Sequence, residues 1–121
     1  MFIKLCLYVH IAYQTSGNIA VSDEEALKFA EIAKALNNNA IEAQKIIAFL
    51  EEKTDNSIDS PETRKLKGLI RRSESLAATR YLSLSDENVH FLDLPFYETG
   101  TVKKNPVGPE DVRIIKDLLL K

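Results

Sequence analysis

The chain lacks most of the groups that announce a self-contained catalytic centre. It has a single cysteine, Cys6, among its 121 residues, so no internal disulfide framework can form. A lone cysteine inside an apolar run reads as a small buried hydrophobe. There are two histidines, His10 and His90, and neither falls in a known metal-ligand spacing. No glycine-rich phosphate-binding motif, Ser-His-Asp set or Cys-His pair can be placed. An EF-hand reading of the loop from Asp55 fails, because its sixth position is Ser60 rather than glycine and its twelfth is Leu66 rather than glutamate. Neither sign of charge dominates. Sixteen basic and eighteen acidic residues leave a formal charge of −2, which argues against the basic face of a nucleic-acid binder. The N-terminal run "MFIKLCLYVHIAY" is too short to span a membrane. It is interrupted by His10 and two tyrosines and has no small-x-small cleavage site, so a strand is expected there rather than a signal peptide. What is present is ordinary for one soluble domain with a modest core: 45% hydrophobic and 28% charged residues. A cytoplasmic setting is expected.

Alternation sets the first element. Ile3, Leu5, Leu7, Val9 and Ile11 fall on one side of an extended strand, and the opposite side is also mostly apolar. A strand apolar on both sides suits a sheet covered on both faces. Ser22 with Glu25 forms a capping box, and Ala26, Phe29, Ala30, Ala33 and Leu36 follow at helical spacing. Asn39 is expected to cap a second helix, with Glu42 at its third position and Ala43, Ile46, Ile47 and Leu50 on its buried stripe. "KTDNSIDS" (53–60) reads as a polar loop. Ser60-Pro61 opens a third helix, with Leu66, Leu69, Ile70, Leu76 and Ala77 inward. Gly68 inside it costs about 1 kcal/mol relative to alanine and points to close packing against a sheet or another helix. "VHFLDL" (89–94) is a short buried strand stopped by Pro95. Pro109 starts a last helix carrying Val112, Ile115, Leu118 and Leu119. The order strand-helix-helix-helix-strand-helix predicts an α/β fold with parallel pairing across a long helical crossover. Ligands in such sheets sit beyond the carboxyl ends of the strands, which here carry "QTSGN" and "PFYETG". A two-stranded sheet is marginal and its edges invite pairing. Further strands, a second copy of the chain or flanking segments are therefore expected to complete it.

Three groups of residues could carry chemistry. Cys6, His10, His90 and Asp93 could be gathered into a zinc site, but the histidines lie mid-strand and structural roles are preferred. "RRSES" (71–75) reads first as a solvated helix face with i,i+3 pairing, and second as an anion or sugar contact through Arg71 or Arg72. In "LPFYETG" (94–100), Phe96 and Tyr97 can stack on a ligand or plug the core, while Glu98 and Thr99 can hydrogen-bond a sugar.

"YVHIAYQTSGNIAVSDEEALKFAE", "KGLIRRSESLAATRYLSLSDENVHFLDLPFYETGTVKKNP" and "GPEDVRIIKDLL" together resemble the middle of a de-N-acetylase domain of the LmbE/PIG-L family. The resemblance is to the version joined to a glucosamine-6-phosphate deaminase (isomerase) domain. It implies one incomplete LmbE-like domain over residues 1–121, a partial Rossmann-like three-layer fold, and zinc-dependent removal of an N-acetyl group from a glucosamine derivative. The family's metal motifs are His-Pro-Asp-Asp and a downstream His-x-x-His. Neither occurs here, so the resemblance implies a piece of an amino-sugar enzyme that by itself has no zinc, no catalytic residue and no turnover. It maps the substrate side instead. Arg71 and Glu74 match the family's Arg-x-x-Glu, and Thr15, Ser16, Asn18, Tyr97, Glu98 and Thr99 fall where the pocket wall would be. The alternative is a non-catalytic binding or assembly module that dimerises through its strand edges.

Overall fold

The computed structural model describes residues 8–121. Its order is β1 (Ile11–Tyr13), α1 (Asp23–Leu36), α2 (Ile41–Glu52), α3 (Pro61–Tyr81), β2 (Val89–Phe91) and α4 (Pro109–Leu119), with short 3-10 turns before α1, before β2 and after β2. The strands pair parallel, with Ile11 opposite Val89, Ala12 opposite His90 and Tyr13 opposite Phe91. The fold is therefore mixed α/β with a two-stranded parallel sheet among the described residues. Among the described residues the expected strand covers only Ile11–Tyr13, with Val9 exposed and outside it; Ile3, Leu5, Cys6 and Leu7 lie outside the described residues.

Local signals start the helices. Ser22 Oγ accepts the Glu25 backbone N–H at 3.1 Å, and Asp23, Glu24 and Glu25 follow in the first turn, where carboxylates suit the helix dipole. Ser60 caps α3 in the same way through the Thr63 N–H, with Pro61 inside the first turn. The expected Asn39 cap is not made. Ala40 holds the cap position of α2, and Asn37 Oδ1 takes the Asn39 N–H at 3.0 Å instead. With three consecutive asparagines, the side chain that turns back on its own segment wins. The start of α4 is set by Asp111, which is buried. Its Oδ2 accepts the Gly108 N–H at 2.8 Å and its Oδ1 accepts the Phe96 N–H at 3.0 Å, tying the helix to the turn after β2.

α1 packs on α2, and both pack on α3. The interior consists of Val21, Ala26, Ala30, Ala43, Ile46, Ile70, Val89 and Leu94. Several expected core residues are exposed: Phe29, Ala33, Leu36, Leu69, Ala77, Val112 and Leu119. Successive helical residues are rotated by about 100°. With Ala26 and Ala30 turned inward, Phe29 falls beside the buried line rather than on it. A sheet of two short strands also offers little surface for the remaining apolar stripes to cover. His10 is exposed and lies just before β1 rather than mid-strand; its ring stacks on that of His90 at 5.2 Å, with Nδ1 of His10 2.9 Å from Nε2 of His90. Among the described residues no group of three or more His, Cys, Asp or Glu side chains could hold a metal, and no helix is long and apolar enough to cross a membrane.

The polar loop 53–60 contributes half of a buried charge cluster that patterning did not suggest. Lys53 bridges Asp23 and Asp59, each at 2.8 Å, and Lys67 bridges the same two carboxylates at 2.7 and 2.6 Å. Burial draws the Asp23 carboxyl upward, but hydrogen bonds from Lys53 and Lys67 outweigh it and hold the group below its ordinary 3.8. Burial draws Lys53 downward, and its bonds to Asp23 and Asp59 carry it above its ordinary 10.5. A depressed acid contributes stability that is lost as pH falls through its folded value. A raised base contributes stability that is lost as pH rises through its folded value. The urea midpoint should thus be flat between roughly pH 5 and pH 9 and fall on both sides. A midpoint series on Asp23→Asn checks this: its acid limb should be shallower, and an unchanged limb would exclude Asp23 as a source.

Candidate functional site

The chain leaves β1 at Tyr13 and turns along the flank of α3. Gly17 makes that course possible. Its φ of +68° is left-handed, and a methyl group there would sit 3.3 Å from Arg71 Nε. A short 3-10 turn, Asn18–Ala20, follows and buries Asn18. The second rim segment leaves β2 beside the first. Leu92 N–H donates to the Tyr13 carbonyl at 2.9 Å and Leu94 N–H to the Gln14 carbonyl at 2.8 Å, so the pairing of the chains continues past both strands. Asp93 takes a φ of +45°, a conformation that aspartate tolerates better than most residues. The 3-10 turn Pro95–Tyr97 then delivers Glu98 over the first segment.

There the two segments join. Ser16 Oγ donates to Glu98 Oε1 at 2.7 Å, and Asn18 Nδ2 donates to Oε2 at 3.1 Å. The carboxylate is held by one donor on each oxygen. Facing it is the stripe of α3 that carries Arg64, Gly68 and Arg72, spaced four residues apart and so on one side of the helix. Arg72 is fixed: its Nη2 donates to Asp93 Oδ2 at 3.0 Å, and its guanidinium lies 4.5 Å from the centre of the Phe91 ring, which stacks on Tyr13. Between these walls is a pocket of about 430 Å³, within the size range of small-ligand sites. Gly68 lines it as well. A methyl group there would meet only Ser16 Cβ at 3.6 Å, an ordinary contact. The glycine is therefore not forced by a tight helix packing, contrary to the expectation from sequence, and its missing side chain leaves room in the pocket.

Of the residues singled out in the sequence, Ser16, Asn18 and Glu98 line this pocket together. Thr15 and Arg71 line a small adjoining cleft that shares Ser16, Gly68, Arg72 and Asp93 with it. Glu74 is not brought to either. It pairs with Arg71 on the exposed flank of α3. Tyr97 faces away, with Lys104 Nζ 3.8 Å from its ring centre. Thr99 closes its own turn by donating to the Lys103 carbonyl at 2.7 Å. Sequence reasoning missed Arg64. Arg72, given a second reading there as an anion or sugar contact, lines the pocket, and Asp93, considered there only for a metal, lines it too. The four-residue spacing of Arg64, Gly68 and Arg72 was the available signal. The pocket thus sets a braced carboxylate, an acceptor for hydroxyl or amine hydrogens, across from guanidinium donors.

Comparison with known proteins adds one similarity. Over 120 residues the chain is 46% identical to a glucosamine-6-phosphate deaminase-like protein of Bacteroides thetaiotaomicron. No family model and no solved structure matches. The match takes in 92% of this chain and 18% of the relative, so the chain spans under a fifth of the length of the curated protein that it resembles.

Proposed function

We propose that the chain forms the substrate-side wall of an amino-sugar pocket, in a domain of the LmbE/PIG-L de-N-acetylase type joined to a glucosamine-6-phosphate deaminase (isomerase) domain. The observation that carries the reading is the Glu98 carboxylate, braced by Ser16 and Asn18 at the carboxyl end of the parallel strands and facing the arginines of α3. Sugar recognition uses such fixed acceptors, because each ring hydroxyl or amine needs a partner once it leaves water. The name of the Bacteroides relative supports an amino-sugar setting. Zinc, which this domain type implies, does not fit the described residues. They present no convergent set of three donors. No reaction step is assigned to this chain. Its part is to bind and orient the sugar, and the isolated chain is expected to hold no stoichiometric zinc and to release no acetate from N-acetylglucosamine.

Isothermal titration with glucosamine tests the binding role. For a ligand of this size in an open pocket, the dissociation constant should be on the order of 1 mM. Glu98→Ala should weaken it about tenfold, since hydrogen bonds to a charged acceptor are lost. No binding by the wild-type chain, or equal binding by Glu98→Ala, would overturn the reading.

A second reading has one observation in its favour. Among the described residues the outer edges of β1 and β2 are both unpaired, and unpaired edges are templates for further strands. A homo-oligomeric assembly module would use them with a second copy of the chain, whereas flanking segments of a larger protein would use them within one domain. Light scattering separates the two: a discrete dimer favours the module, and a monomer at high concentration argues against it.

A further inference from the structure

Arg64 stands apart from the other arginines. Arg71, Arg72, Arg80 and Arg113 each pair with a carboxylate. The Arg64 side chain makes no ion pair or hydrogen bond among the described residues, and its Nε is buried without a partner. Residues 1–7 contain no acidic side chain that could supply one. A buried guanidinium donor without an acceptor is costly, and native structures rarely leave one. The surroundings also close over it. Gly100, with φ of +75°, brings its backbone so near that a methyl group there would lie 3.2 Å from Arg64 Nη1. Arg64 and Glu98 line the same pocket with no ion pair between them, so the pocket carries an unpaired cationic group as well as an anionic one.

We infer that the pocket takes a sugar carrying a compact oxyanion, with the anion on the Arg64 guanidinium and the sugar's hydroxyl or amine hydrogens on Glu98. This rests on the sugar-pocket reading above and sharpens it to an anionic ligand. The polarity follows from the charges. Glu98 would repel an anion and attract an ammonium or hydroxyl group, while Arg64 offers a planar fork of donors that matches phosphate or carboxylate. Of the other pocket cations, Arg72 is paired with Asp93 at 3.0 Å, and Lys65 is exposed with a 3.6 Å contact to Glu42. Only at Arg64 does a ligand's charge replace a missing partner rather than compete with an existing one. A phosphate monoester and a carboxylate share this chemistry.

The test is a titration series on the whole chain with a neutral hexose, the same hexose as its phosphate monoester, a hexuronic acid and inorganic phosphate. The anionic sugars should bind about tenfold to a hundredfold more tightly than the neutral one. Arg64→Gln should abolish that gain, bringing the anionic and neutral sugars to equal affinity, and Arg64→Lys should restore part of it. The ranking of the phosphate and carboxylate arms tells which anion the fork prefers. Equal affinity for neutral and charged sugars, or a gain that survives Arg64→Gln, overturns the inference. If the neutral sugar binds with no anionic gain, the anion site fails and the sugar pocket stands. If inorganic phosphate binds in an Arg64-dependent way and no sugar does, the anion site stands and the sugar reading fails. Circular dichroism checks the fold of each variant. Amide shifts of the wild-type chain under added phosphate probe the same site without a substitution: shifts at Arg64 and Gly100 support it, and their absence overturns it.

Discussion

Lys67→Ala is expected to lower the unfolding free energy by about 3–5 kcal/mol, the usual cost of removing one partner from a buried ion pair. Its side chain is 5% exposed, and it contacts Asp23 on α1 and Asp59 in the loop before α3. Asp59, at 9% exposure, would keep only Lys53. The cluster joins the start of α1 to the distant loop before α3 and to α3 itself, so its loss loosens the end of the helical layer where α1 begins and α3 is entered. Lys28→Ala is the contrast. Its pair with Glu24 is exposed and 3.6 Å long, and its removal should cost well under ~1 kcal/mol. Urea denaturation of both variants checks the pair of values. Equal, small losses would contradict the buried network.

Leu94→Ala should cost about 2–5 kcal/mol, from lost burial and the cavity that remains. Leu94 is 1% exposed, and its backbone serves both rim segments: the N–H reaches the Gln14 carbonyl, and the carbonyl accepts the Tyr97 N–H at 3.2 Å. The side chain anchors the turn that carries Glu98. Where the variant remains folded, its sugar affinity should fall as well, because Ser16, Asn18 and Glu98 are no longer held in one register. Thermal melts with parallel titrations check both effects. A destabilised variant with wild-type affinity would show that Leu94 supports the core and not the rim.

Local signals were legible in the sequence. Ser22, Ser60-Pro61 and Pro109 each mark a helix start through contacts within a few residues, and all three hold. Parallel pairing also followed from two apolar runs separated by a helical crossover, and with it the placement of "QTSGN" and "PFYETG" at one rim. What could not be read depends on which side of an element meets another. Lys67 looks solvent-facing in a helical pattern, yet it finds Asp23 forty-four residues away. Arg71 was the more obvious arginine in "RRSES", but Arg64 and Arg72 are the ones turned to the larger pocket, since the rotation of α3 is fixed by Ile70 and Thr63 in the core. Tyr97 and Thr99 flank Glu98 in sequence, yet the turn at Pro95–Tyr97 and the Thr99 bonds direct them elsewhere. Neither His-Pro-Asp-Asp nor His-x-x-His occurs in this sequence.

The most direct measurement is amide chemical-shift mapping of the chain titrated with an amino sugar. Saturable shifts are expected at Ser16, Asn18, Gly68 and Glu98, on both walls of the pocket, with the exposed face of α4 unmoved. Shifts absent from those positions, or scattered over the α1 and α4 surfaces, would contradict a sugar pocket at the strand ends.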